Sequence, residues 1–409
     1  MHTCRFCGAP LEHCFVDLGM SPLCQSMIGP DQLDAMEPFY PLRALVCGRC
    51  LLVQLPEYVG AAQIFSEYAY FSSYADSWLR HARDYVEAMM ARFGLGSESL
   101  VVEVASNDGY LLRNFVARGV PCLGIEPAAN VARAAVAKGV PTMVKFFGRQ
   151  TAEELVADRV RPDLMTANNV LAHVPDLNDF VAGFRRLLSP GGVATFEFPQ
   201  LSRLIEGNEF DTIYHEHFCY FSLNTARAVL AAHGLTVFDV EELSTHGGSL
   251  RLFARHAEHE ALPVGPRVAE LLRREEAAGL TRLEGHRGFE ERVRETKRRL
   301  LEFLIDARRD GRTVAGYGAP GKGNTLLNYC GIRSDLLDYT VDRNPYKQGK
   351  FLPGTHIEVF APEKIAETRP DYLLILPWNL KDEIIEQLAY VRGWGGKFVV
   401  PIPELTVDD

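Results

Sequence analysis

Two cysteine pairs, Cys4-Arg-Phe-Cys7 and Cys47-Gly-Arg-Cys50, constrain the start of this chain more tightly than any other feature. A C-x2-C turn aims both of its sulfurs at one point, and two such turns complete the tetrahedral sulfur shell that suits Zn2+. With Cys4, Cys7, Cys47 and Cys50 filling the shell, no position stays open for a substrate, so the metal is expected to be structural. Two disulfides or four buried thiols are the alternative. The other five cysteines, Cys14, Cys24, Cys122, Cys219 and Cys330, show no pairing pattern, and the odd total of nine favours a reducing, cytoplasmic compartment.

A chain of 409 residues that is 47% hydrophobic exceeds one ordinary core, so two or three domains are expected. No apolar run approaches the ~20 residues of a spanning helix. A net charge of −10 without a basic block argues against a nucleic-acid surface. Small polar substrates remain as partners, and we expect a monomer with neither membrane nor nucleic-acid contacts.

The zinc module is expected over residues 1–75. It ends in an aromatic stretch, Phe65-Ser-Glu-Tyr68-Ala-Tyr70-Phe71-Ser-Ser-Tyr74, that either staples domains together or lines a pocket; Tyr68 is kept as a site candidate. Residues 76–255 alternate helix and strand, with strands expected over 100–105, 122–126, 164–167 and 193–198, a pattern that builds a parallel sheet wrapped by helices. Two further strands, 236–240 and 249–254, suggest the antiparallel hairpin that ends a methyltransferase-type sheet. Residues 257–312 carry Arg, Glu and Leu at helical spacing and read as one or two solvated connecting helices. A second α/β unit follows, so the third domain is expected over 256–409.

The segment Glu103-Val-Ala105-Ser-Asn107-Asp108-Gly109 runs from an apolar strand into a tight polar loop, with a helix expected from Tyr110, a geometry that offers backbone N–H groups to a ligand. The next strand ends at Glu126, where a carboxylate can accept both ribose hydroxyl protons of an adenosine, or can cap a helix. The loop lacks the G-x-G-x-x-G pyrophosphate cradle, which favours S-adenosylmethionine over a dinucleotide. Asn168, Asn169 and His173 lie just beyond another strand and so face the same crevice, although His173 also reads as an ordinary helix-face histidine.

Phe210-Asp-Thr-Ile-Tyr214-His215-Glu216-His217-Phe218 gathers titratable groups inside an aromatic stretch, where apolar neighbours shift pKa values. His-x-His supplies too few ligands for a metal site. A general base beside a hydrogen-bonding phenol is the more economical reading.

At this point the chain resembles the sugar C-3-methyltransferases that act on dTDP-deoxysugars in antibiotic pathways. The resemblance covers essentially the whole chain. It rests on both cysteine knuckles, Glu103–Gly109, Asn168-Asn-Val-Leu-Ala-His173, Asp211–His217, His246-Gly-Gly-Ser249 and Gly318-Ala-Pro-Gly-Lys-Gly-Asn324. Ala105 departs from the glycine common there. The resemblance implies a zinc domain, a central class I methyltransferase domain with a seven-stranded Rossmann-like sheet, and a carboxyl-terminal Rossmann-like domain. It further implies methyl transfer from S-adenosylmethionine to C-3 of a dTDP-4-keto-deoxysugar. His217 matches the base, with Tyr214, Glu216, His173 and Tyr68 around it.

Gly316-Tyr317-Gly318-Ala-Pro-Gly321-Lys322-Gly323 follows a strand and opens a helix, and Asp342 stands farther on; taken literally this is a dinucleotide fingerprint. It also satisfies Gly-x4-Gly-Lys, but Gly323 replaces the hydroxyl that would hold Mg2+. An NAD-dependent nucleotide-sugar oxidoreductase is therefore the rival reading, and a nucleotide-sensing zinc scaffold the non-enzymic one. We place the sugar nucleotide instead at Tyr317, Lys322, Asn324 and His246, because an α/β loop binds phosphate whatever hangs from it.

Overall fold

The computed structural model describes residues 2–60, 73 and 76–408, so Tyr68 lies outside the described residues. The strands in chain order are β1 (His13–Ser21), β2 (Tyr40–Val46), β3 (Val53–Gln54), β4 (Val101–Val104), β5 (Cys122–Ile125), β6 (Thr142–Met143), β7 (Leu164–Asn168), β8 (Val193–Pro199), β9 (Cys219–Tyr220), β10 (Leu235–Leu243) and β11 (Ser249–His256). The carboxyl-terminal part adds β12 (Val314–Tyr317), β13 (Thr340–Val341), β14 (Lys350–Phe351), β15 (Glu358–Phe360), β16 (Tyr372–Ile375), β17 (Lys397–Val400) and β18 (Thr406–Asp408).

Among the described residues these strands form three sheets. The central one has seven strands in the order β10-β11-β8-β7-β4-β5-β6, parallel from β8 to β6, with β10 and β11 antiparallel at one edge. The chain leaves β4 first towards β5 and later returns to β7, so the order switches beside β4 and opens a crevice at the carboxyl ends of these strands. A second seven-stranded sheet, β14-β15-β13-β12-β16-β17-β18, repeats this logic with its switch at β12.

Helices cover the sheets for visible reasons. In Leu177–Leu187 the buried Leu177, Phe180, Val181, Phe184 and Leu187 share one helical face, and Asp176 caps the first turn by accepting from Asp179 N at 3.0 Å. The connecting region forms two helices, Pro266–Ala277 and Phe289–Arg309. The second buries Phe289, Val293, Leu300 and Leu304 on one stripe and leaves its charges in ion pairs on the other. The helix expected from Tyr110 starts instead at Leu112, because residues 107–111 form turns first.

The third sheet, β1-β2-β3-β9, joins parts of the chain that the sequence separates: β9, from the histidine-rich block, pairs with β3 of the cysteine module. The module also touches both other domains through apolar contacts. Phe15 stacks on Phe289 at 4.7 Å, while Cys4 and Cys47 pack into the same buried cluster as Phe180, Phe184 and Phe218. Arg5 latches this arrangement, donating from its two terminal nitrogens to Pro175 O and Leu55 O, each at 2.6 Å, with its guanidinium 5.2 Å from the Phe218 ring centre. We predict that Arg5→Ala lowers stability by about 1–3 kcal/mol in a denaturant titration, since two carbonyls lose their donor. Arg5→Lys is predicted to fall between the two, because an ammonium cannot fork to both carbonyls.

Candidate active site

The four cysteine sulfurs lie within 4.8 Å of one another. Each knuckle closes through two backbone bonds, Gly8 N to Cys4 O (2.9 Å) with Cys4 N to Ala9 O (2.8 Å), and Leu51 N to Cys47 O (2.9 Å) with Cys47 N to Leu52 O (3.1 Å). The residue after the second cysteine is left-handed in both, Gly8 at φ 72° and Leu51 at φ 64°. Donors face the sulfurs: Gln54 Nε2 is 3.2 Å from Cys4 Sγ, and the amides of Arg49 and Cys50 are 3.4 and 3.5 Å from Cys47 Sγ. Donors aimed at sulfur suit metal-bound thiolates, so these residues fit Zn2+. The ion, when bound, supplies a closed cross-link with no open coordination position.

At the switch point, Ala105, Asn107 and Gly109 all have positive φ, at 54°, 49° and 75°. Glycine is the easier residue for the first of these, since a left-handed alanine costs about 1 kcal/mol. At Gly109 a Cβ would stand 2.9 Å from Val140 Cγ2, so the loop can sit close to its neighbours only without a side chain there. The expectation that the loop offers free amides needs correction at three positions. Ser106 N donates to Ile125 O, Asn107 N to Glu126 Oε2 and Gly109 N to Ser106 O. Glu126 takes Ala128 N on its other oxygen, at 2.8 Å, and so braces the loop while its remaining lone pairs stay available to hydroxyls.

What the loop offers is acceptors. Glu103 Oε2, Asp108 Oδ1 and Asn169 Oδ1 are buried and receive no hydrogen bond. Burial, with Glu126 and Asp108 adding negative charge, pushes the Glu103 carboxyl well above its usual range. Asp108 is held from the other side by Lys138, whose Nζ is 2.6 Å from Oδ2. Asn168 accepts from Thr166 Oγ1 at 3.2 Å. A ligand carrying hydroxyl and ammonium donors and a positive sulfonium matches this acceptor-rich crevice, which is the donor set of S-adenosylmethionine.

The histidine block lies against this crevice. His217 Nδ1 is 2.7 Å from Thr212 O, and because a carbonyl only accepts, Nδ1 carries the proton and Nε2 the lone pair. His173 meets the His217 ring edge-on at 4.6 Å, and Tyr214 lies over it at 4.0 Å. Burial, with His173, His246 and Lys322 nearby, holds His217 well below the ordinary imidazole value of 6.5. Burial takes His173 and His246 down to about 4. Glu216 accepts from the Cys24 thiol at 3.4 Å. Phe218 N donates to Ala172 O at 2.7 Å, which ties the block to the His173 loop.

The carboxyl-terminal domain closes the other side. Lys322 Nζ is 2.8 Å from Asn379 Oδ1 and 4.4 Å from the Trp378 ring centre, while Trp378 Nε1 donates to Asp211 Oδ2 at 2.8 Å. Burial lowers the Lys322 ammonium, against the pull of Asp211 and Glu209, and burial raises those two acids to about 6 and 7. Asn324 is 1% exposed, and neither its Oδ1 nor its Nδ2 has a hydrogen-bond partner. Asp342 braces its loop as Glu126 does, its oxygens accepting from the Ala319 and Asn344 amides, both at 2.8 Å. Tyr317 ends β12 largely buried.

Residues 4–65 match a family model described as a zinc binding domain, residues 78–240 one described as a methyltransferase domain, and residues 244–403 one described as a C-methyltransferase C-terminal domain. Over 406 residues, 98% of this chain and 95% of the relative, the sequence is 38% identical to the C-methyltransferase NovU of Streptomyces niveus. The chain belongs to this C-methyltransferase family. Solved structures similar to part of it include the magnesium protoporphyrin IX methyltransferase ChlM of Synechocystis PCC 6803 with bound SAM (17% identity, 44% of this chain and 81% of that one, TM-score 0.33). Another is the 1,6-didemethyltoxoflavin-N1-methyltransferase of Burkholderia thailandensis (19% identity, 45% and 82%, TM-score 0.34).

The protein is thus an S-adenosylmethionine-dependent C-methyltransferase with a zinc-binding domain. Several residues that this C-methyltransferase brings to the crevice escape a motif reading. Cys24 reaches Glu216 from the cysteine module, Trp378 reaches Asp211 from the last domain, and His81 and Arg251 both hold the buried Glu197 carboxylate, each at 2.8 Å. None sits in a short pattern; only the order of domains around the block could have pointed to them. For the metal, we predict one zinc per chain in the native C-methyltransferase and none in Cys47→Ser, with a lower melting temperature, checked by metal analysis and thermal unfolding. Zinc retained in Cys47→Ser would place the ion elsewhere.

Proposed function

We propose that the protein methylates C-3 of a dTDP-linked 4-keto-deoxysugar through an enolate. The observation that carries this reading is the His217 tautomer: a proton donated from Nδ1 to Thr212 O leaves a neutral ring with its basic Nε2 lone pair. A hydrogen alpha to a ketone is acidic enough for such a base, and the carbanion carbon then has a nucleophilic pair. His217 Nε2 takes the C-3 proton. The C–H pair moves into the C-3–C-4 bond and the C-4 carbonyl pair onto oxygen. S-adenosylmethionine supplies, when bound, an electrophilic methyl on sulfonium.

The other residues have proposed roles. Tyr214 and His173 flank the base and orient its ring, with Glu216 as a sugar-binding or enolate-stabilising group; Tyr68 is given such a role from the resemblance alone. Glu126 receives the ribose hydroxyls. Glu103, Ala105, Asn107, Asp108, Gly109, Asn168 and Asn169 line the cofactor side. Lys322 supplies the cation for the diphosphate, with Tyr317 beside it, and the unpartnered Asn324 amide fits a ligand that offers both donor and acceptor. An oxidoreductase reading is disfavoured by the likeness of the chain to a C-methyltransferase over 98% of its length and by the match of residues 244–403 to a C-methyltransferase C-terminal domain.

Incubation with methyl-labelled S-adenosylmethionine and a panel of dTDP-4-keto sugars tests the reading; label on sugar carbon supports it. His217→Asn is predicted to lower kcat by a factor on the order of 10^2 to 10^4 while both ligands still bind, because general-base assistance acts mainly in the transition state. A loss below about tenfold would point to another base. Since His217 is held below 6.5, the acid limb of the pH–rate profile is predicted to lie below pH 6.5 and not at it. Activity falling with a midpoint at or above that value would contradict the assignment.

A further inference from the structure

The tip of the β10–β11 hairpin is built with unusual backbone. His246, Gly247 and Gly248 have φ of 55°, 95° and 137°, and His246 sits at ψ 25°. Glycine is required at the last two, since a Cβ at Gly247 would stand 2.5 Å from Glu209 Oε1 and one at Gly248 2.7 Å from Arg203 Cγ. A left-handed histidine persists only where its surroundings over-determine it. Here they do: Trp78 packs against the ring at 5.0 Å, and Asn169, itself left-handed at φ 55°, donates from Nδ2 to His246 Nε2 at 3.2 Å. An amide nitrogen only donates, so Nε2 accepts and the ring proton resides on Nδ1.

Topology places the hairpin tip on the ligand side. Ser249, just after the tip, pairs with Pro199 at the carboxyl end of β8, and the Asn169 amide bonds Glu197 O of the same strand. The tip therefore stands over the sheet end beside β7 and β8, one step from the β4 and β5 ends that carry the cofactor loop. Lys322 acts on His246 from across the crevice, and His246 in turn acts on His217.

We propose that His246 Nδ1–H is the hydrogen-bond donor to the C-4 oxygen of the keto sugar, stabilising the negative charge that appears there when His217 removes the C-3 proton. This rests on the enolate reading above. His217 and His246 are then complementary: Thr212 O takes Nδ1–H of His217 and leaves its Nε2 lone pair, and Asn169 takes Nε2 of His246 and leaves its Nδ1–H. Burial keeps His246 neutral near pH 7, so it donates without surrendering its proton, and no reorganisation is needed as charge develops. The ring proton stays on His246 throughout; only the C-3 proton moves.

The test uses the dTDP-4-keto-6-deoxyhexose that the wild-type protein methylates best in the labelling panel. Two rates are read: turnover, and exchange of the C-3 hydrogen in D2O with S-adenosylhomocysteine bound. His246→Gly relieves the backbone but removes the donor, and is expected to slow both rates by about 10^2 to 10^3 with unchanged S-adenosylmethionine affinity. His246→Asp, close to the same shape with no donor, is expected to be equally slow should the glycine variant fold poorly. His246→Asn keeps an N–H near the Nδ1 position and tolerates positive φ, so it is expected to come within about tenfold of wild type. Exchange at the wild-type rate in both His246→Gly and His246→Asp would overturn the proposal. So would a loss of S-adenosylmethionine affinity as large as the loss of turnover, which would put the ring on the cofactor. A wild-type protein that labels no sugar would instead remove the enolate reading itself.

Discussion

Gln54 is where the metal site and the reactive block meet, and much of the crevice depends on it. Its Nε2 donates to Cys4 Sγ and its Oε1 accepts from Arg5 N, while its backbone pairs with Cys219, two residues past His217. A buried amide satisfied from both sides leaves little freedom, because losing either partner would strand a polar atom away from water. The zinc module therefore does not hang from the enzyme as an accessory. It supplies the strand against which the histidine block is registered.

That register explains why the site is assembled from three domains. Cys24 comes from the cysteine module to Glu216, Ala172 from the methyltransferase domain to Phe218, and Thr325 from the carboxyl-terminal domain to Ile213 at 3.2 Å. Each contact fixes a different residue of one short block, and the titratable side chains between them are held without a regular element of their own. Gly321 makes this possible on one side: a Cβ there would stand 2.9 Å from Cys24 Sγ. The glycine loop thus serves close packing between domains as well as any ligand.

Electrostatics divides the crevice into two halves. The cofactor side collects acids whose burial favours a cationic ligand, and Lys138 and Arg251 neutralise only part of them. The base side collects histidines that burial keeps neutral, beside one lysine. Both neutral rings hold the proton on Nδ1 and differ in which nitrogen the protein already occupies. Thr212 O takes Nδ1–H of His217 and leaves its Nε2 lone pair, whereas the Asn169 side chain takes Nε2 of His246 and leaves its Nδ1–H.

Local pattern was enough for the metal clamp, the strand–loop–helix at Glu103–Gly109, the hairpin at the sheet edge and the two α/β units, because each depends on residues near in sequence. Turn chemistry and apolar periodicity act over a few residues, and they survive in the chain as readable text. Two amides of the cofactor loop, Ser106 and Asn107, were misread as free because their partners, Ile125 and Glu126, come from the neighbouring strand. Likewise the proton positions on His217 and His246, the thiol on Glu216 and the indole on Asp211 were decided only by tertiary structure. Hydrogen-bond partners at a domain junction are chosen by packing across separations that no local pattern records, and that packing converts a cluster of histidines into an ordered arrangement of donors and acceptors.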